Sequence, residues 1–89
     1  MSHYVSKVAK NVKLSNQASK AVEKADPPLQ ETIKHAIQEI ASNPLLGLPL
    51  QGLLKGLRRY RVGSYRIVYR FTEEVLEIVS INHRKDAYR

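Results

Sequence analysis

The chain has 89 residues with no cysteine and no tryptophan, 43% hydrophobic residues, and 15 Lys+Arg against 8 Asp+Glu for a net charge of +7. That length supports one small domain and no deep multi-substrate cleft. The missing cysteines exclude a disulfide scaffold, a thiolate metal site and a cysteine nucleophile. No apolar run approaches a membrane span and no signal-peptide core opens the chain, so a cytoplasmic protein is expected.

Residues 1–11 show no strong periodicity and read as an N-terminal extension, leaving residues 12–89 as a single domain. Val12–Leu14 suits a short strand. Ser15 is a reasonable N-cap for a first helix, whose narrow apolar stripe is Ala18, Ala21, Val22 and Ala25. Asp26-Pro27-Pro28 ends that helix and starts another, with aspartate as cap and proline in the first turn. In the second helix Leu29, Ile33, Ala36, Ile37, Ile40 and Ala41 fall on one face, and Asn43-Pro44 stops it. Residues 44–56 mix prolines and glycines with leucines, which describes an ordered apolar connection rather than a domain boundary.

The hydrophobic period then changes from 3.6 to 2. Leu57–Val62, Tyr65–Phe71 and Val75–His83 read as three strands, with Gly63-Ser64 as a two-residue hairpin turn and Thr72-Glu73-Glu74 as the second turn. Two helices followed by an antiparallel meander predict an α+β domain, with both helices packed on one face of a small, mainly antiparallel sheet.

A two-residue turn fixes the register of the hairpin. Val62 then faces Tyr65, Arg61 faces Arg66, Tyr60 faces Ile67 and Arg59 faces Val68. Tyr60, Val62, Tyr65, Ile67, Tyr69 and Phe71 share the face that suits the helices. Arg59, Arg61, Arg66 and Arg70 share the other with Leu57 and Val68. Directly opposed like charges are destabilising, so the Arg61/Arg66 pair is best explained by an anionic ligand, either nucleic-acid phosphate or the carboxylates of a partner. If the meander turns on Glu73-Glu74, Arg70 falls opposite Glu77 as a structural pair and His83 joins the arginine face.

The charge is unevenly distributed. Residues 1–44 carry six lysines and four acids, a balance of +2, whereas residues 45–89 carry two lysines and seven arginines against four acids, a balance of +5. Every arginine lies at or beyond Arg58, and the guanidinium fork binds phosphate oxygens in pairs. Such clustering is the footprint of a nucleic-acid binder, though a face for an acidic protein would share it. His3, His35 and His83 lack ligand spacing, which argues against a metal site. His83 suits proton transfer near neutrality, and a structural hydrogen bond would suit it equally. Tyr88 lies in a charged tail, where base stacking or simple packing would each account for it.

The run GLLKGLRRYRVGSYRIVYRF (residues 52–71), followed by VSINHRKDAYR (79–89), resembles the RelE/ParE superfamily of bacterial and archaeal toxins. The resemblance covers roughly residues 12–89. It implies a toxin paired with an antitoxin protein, no cofactor, and one of two activities. RelE-like members cut mRNA in the ribosomal A site through the ribose 2′-OH, whereas ParE-like members share the fold and inhibit DNA gyrase. Carried over by position, Arg59 and Arg61 match two basic positions on the first hairpin strand. Arg66 matches the arginine that holds the scissile phosphate, Arg84 a proton donor, and Tyr88 the tail tyrosine that stacks on a base.

The RelE pattern has lysine where this chain has Arg59 and Arg61. Arginine stabilises a dianionic phosphorane well, but a guanidinium holds its proton too tightly to be a good general base. The resemblance therefore implies either activation of the 2′-OH by positioning and charge or a proton-transfer role for His83. An mRNA endoribonuclease is the expected function, with mRNA and the ribosome as partners beside the antitoxin. Gyrase inhibition is the alternative.

Overall fold

The computed structural model describes residues 11–83. Its elements run β1 (Asn11–Leu14), α1 (Asn16–Lys24), α2 (Pro27–Ser42), β2 (Leu48–Pro49), β3 (Arg58–Val62), β4 (Tyr65–Phe71) and β5 (Val75–His83), with single 3-10 turns at Pro44–Leu46 and Gly52–Leu54. The strands form one sheet in the order β1-β5-β4-β3-β2.

The β3–β4 hairpin follows the predicted register. Gly63 takes φ +59° at the first central position of the hairpin, a left-handed value that glycine adopts without a Cβ penalty and that a II′ turn requires. Arg61 consequently lies opposite Arg66 and Tyr60 opposite Ile67. The sheet is nonetheless mixed and five-stranded, which corrects the simpler meander. β1 pairs in parallel with β5, Asn11 beside Val75 through Leu14 beside Ile78. β2 adds two residues antiparallel to β3, with Leu48 opposite Arg59.

The helices cover one sheet face because their apolar stripes have nowhere else to go. Ile33, Ala36, Ile37, Ile40 and Ala41 of α2 and Ala18 of α1 are buried with Ile67, Tyr69, Leu76, Ile78 and Ile81 from the sheet. Ser15 caps α1, its hydroxyl oxygen accepting from the Ala18 N–H at 3.1 Å. Asp26 occupies the N-cap of α2 but forms no side-chain cap bond there; Pro27 and Pro28 supply no N–H in that first turn.

β5 departs from simple alternation at Val79. Tyr69 lies opposite Ile78 and Val68 opposite Ser80, so Val79 has no partner on β4 and forms a bulge. The Ser15 hydroxyl donates to the Val79 carbonyl at 2.7 Å. Two residues on, the Gln17 amide donates to the Ile81 carbonyl and accepts the Ile81 N–H, both at 2.9 Å. α1 thus supplies side-chain hydrogen bonds to β5 just past the end of β1. Among the described residues no helix is long and apolar enough to cross a membrane.

Candidate nucleic-acid interface

The uncovered sheet face carries Arg59 and Arg61 from β3 and Arg66 from β4. The hairpin turn alone sets the central pair, since Arg61 and Arg66 are direct cross-strand partners. With Leu46, Leu48 and Tyr60 they line a shallow depression of about 390 Å³, to which no acidic side chain contributes among the described residues. Arg70, on the same strand as Arg66, is spoken for. Its Nε donates to the Glu77 carboxylate at 2.6 Å, and that carboxylate raises the guanidinium pKa further. The predicted Arg70–Glu77 pair is therefore present and structural.

The face expected for His83 is overturned. Because Val79 is an extra residue, the strand beyond it is shifted by one, and a one-residue slip moves every later side chain to the other face. His83 lies opposite Tyr65, and the two rings meet edge to face with centroids 5.1 Å apart. Asn82 takes the place across from Arg66. The structure thus brings together Arg59, Arg61 and Arg66 and leaves His83 on the helix-bearing side. Arg84 and Tyr88 lie outside the described residues.

Two residues that sequence reasoning undervalued hold the rim of the depression. Tyr69 is fully buried. Its hydroxyl donates to the Pro44 carbonyl at 2.5 Å and accepts the Gly47 N–H at 2.9 Å. Arg58 shares the Tyr69 face, and its Nη1 donates to the Gly47 carbonyl at 2.5 Å. A Cβ on Gly47 would collide with the Tyr69 hydroxyl and come within 2.6 Å of the Arg59 carbonyl oxygen, so only glycine permits this approach. Burial raises the Tyr69 pKa, against smaller opposing effects of the Gly47 N–H and the Arg58 charge, and the phenol stays protonated. The usable sequence signal was the Pro44…Gly47…Pro49 spacing, which marks a chain turned back against the sheet.

Among the described residues no group of histidine, aspartate and glutamate side chains could hold a metal ion. The arrangement can do one thing well, which is to concentrate guanidinium charge on a phosphate-sized anion.

Comparison with known proteins identifies the family and the fold. Residues 12–88 match the family model for the ParE toxin of type II toxin-antitoxin systems. The chain is 32% identical over 82 residues to toxin RelG of Mycobacterium tuberculosis, covering 88% of this chain and 94% of RelG. It is also 32% identical over 65 residues to toxin ParE1 of the same organism, covering 72% of this chain and 65% of ParE1. The fold is similar to that in the toxin-antitoxin complex RelBE2 of M. tuberculosis, with a TM-score of 0.77, 26% identity, and coverage of 86% of this chain and all of that one. It is likewise similar to YafQ of E. coli, with a TM-score of 0.70, 21% identity, and coverage of 90% and 99% of the two chains. The chain belongs to the ParE toxin family of type II toxin-antitoxin systems, within the RelE/ParE superfamily.

Proposed function

We propose that this toxin is a metal-independent endoribonuclease that cuts mRNA in the ribosomal A site and so stops translation in the cytoplasm. The observation that carries the reading is the direct opposition of Arg61 and Arg66 in a basic depression, an arrangement that favours a doubly charged phosphorane over a neutral ligand. RNA supplies its own nucleophile. The ribose 2′-oxygen attacks the adjacent phosphorus, the bond to the 5′-oxygen breaks, and the products are a 2′,3′-cyclic phosphate and a 5′-hydroxyl.

In this reading Arg66 holds the scissile phosphate, and Arg59 and Arg61 stabilise the developing charge. Arg84 gives a proton to the leaving 5′-oxygen and Tyr88 stacks on a base. Positioning and charge activate the 2′-OH, because the imidazole of His83 stands on the other side of the sheet. Residues 12–89 act as one toxin domain, and of the extension expected over residues 1–11 Asn11 already pairs in β1 beside Val75. The natural partner is a cognate antitoxin whose acidic segment neutralises the arginine face.

The test adds purified toxin to a reconstituted translation system with a defined mRNA, and maps new 5′ ends by primer extension beside ribosome-free mRNA. Cuts within the A-site codon that vanish with Arg66→Ala are expected. Intact mRNA from a preparation that still arrests growth would contradict the ribonuclease. Gyrase inhibition is the second reading, favoured by the match to the ParE family model over residues 12–88 and by arginine where RelE has lysine. It predicts that joint substitution of Arg61, Arg66 and Arg84 leaves toxicity intact.

A further inference from the structure

The depression beside the arginines has an apolar side as well as a basic one. Leu48 is 60% exposed and stands directly opposite Arg59, and Leu46 is 44% exposed beside it. Exposed leucines on a floppy loop would mean little. These two flank Gly47, whose N–H and carbonyl are held by Tyr69 and Arg58, and Tyr69 holds Pro44 as well. The three hydrogen bonds fix the segment from both sides before any ligand arrives. A preset wall of this kind costs little ordering entropy on binding.

We propose that Leu46 and Leu48 form an apolar wall that receives the face of the nucleobase next to the phosphate held by Arg59, Arg61 and Arg66. The inference rests on the ribonuclease reading above and adds to it a base-binding surface. A depression of about 390 Å³ lies at the lower end of the roughly 300–1,000 Å³ typical of small-ligand sites. It suits one flat group plus its phosphate better than a long peptide. A ligand with an anionic centre on one side and an apolar plane on the other fits this lining, and a nucleotide has that chemistry. Tyr69 and Arg58 act here as positioning residues, through the segment rather than on the ligand.

The experiment measures binding of two 2′-O-methyl trinucleotides, which lack the attacking hydroxyl and cannot be cut. One is intact and the other has an abasic central residue. The intact one is expected to bind wild-type toxin about five- to tenfold tighter, the gain from covering roughly 50 Å² of leucine surface. With Leu46 and Leu48 both changed to serine that ratio falls to about one, while affinity for the abasic trinucleotide holds. Leu53→Ser, at a fully exposed leucine that does not line the depression, leaves the ratio unchanged. Equal wild-type affinity for the two trinucleotides would overturn the wall and leave the ribonuclease standing. Absence of binding by both trinucleotides would likewise overturn the wall, whereas the ribonuclease reading falls only if ribosome-bound mRNA stays intact. Retention of the ratio in the double variant would also overturn the wall.

Discussion

Arg66 and Ile67 are neighbours on β4 and face opposite directions into unlike surroundings. Ile67 is fully buried with Ile33, Ile40, Ile78 and Ile81 beneath the helices, where close packing sets the energetics. Arg66 lies opposite the like-charged Arg61 across the hairpin, on the face away from the described helices. One side of the sheet builds the core; the other sets two like-charged side chains directly opposite each other. The lesson is that period-2 alternation separates the two tasks so completely that adjacent substitutions should have unrelated consequences.

The largest separation is expected from that neighbouring pair. Ile67→Ala should lose about 2–5 kcal/mol of stability, the range for deleting a buried aliphatic side chain, as read by urea denaturation. Arg66→Ala should unfold at a similar urea midpoint yet cut programmed mRNA about 10²–10³-fold more slowly, the cost of removing one preorganised donor to a developing oxyanion. If both variants lost stability alike, the division between the faces would fail.

Tyr69→Phe comes next, because it sits on the boundary between the two tasks. It keeps the ring in the core but strands the Gly47 N–H, a buried donor, which costs about 1–3 kcal/mol. The same phenol gives a pH signature. Its folded pKa is raised above the ordinary 10.0 by burial, so its contribution is fully present below about pH 10 and is lost as pH rises through the folded value. Wild-type stability should therefore decline more steeply above pH 10 than that of Tyr69→Phe. Parallel alkaline denaturation curves would remove Tyr69 as the source.

The smallest effect is expected at Arg70. Its ion pair with Glu77 is solvent-exposed, and exposed pairs contribute little after side-chain entropy and screening. Arg70→Gln should leave both the urea midpoint and cleavage within experimental error. A clear loss of cleavage would enlarge the candidate site.

Much of this organisation was legible in the sequence. The 3.6-residue spacing from Ile33 to Ala41 defined α2, and Gly63-Ser64 fixed the hairpin and with it the Arg61/Arg66 pair. Both are local signals. What escaped depends on contacts between distant segments. The parallel seat of β1 against β5 joins residues more than sixty apart, and no local pattern announces it. The Val79 bulge left a fainter trace. The buried positions on β5 are Leu76, Ile78 and Ile81, and a step of three inside a period-2 strand marks an inserted residue. Val79 is itself apolar and disguised that step, which is why His83 was expected on the wrong face. Tyr69 read correctly as core, but its hydroxyl partners lie 22 and 25 residues away.

The most direct test of the central claim is Arg61→Leu, with urea stability and cleavage of ribosome-bound mRNA measured on the same preparation. Removing one of two opposed like charges should raise stability by roughly 0.2–1 kcal/mol while cleavage falls sharply. Lower stability with cleavage retained would mean that the opposed arginines serve the fold, and would contradict the account.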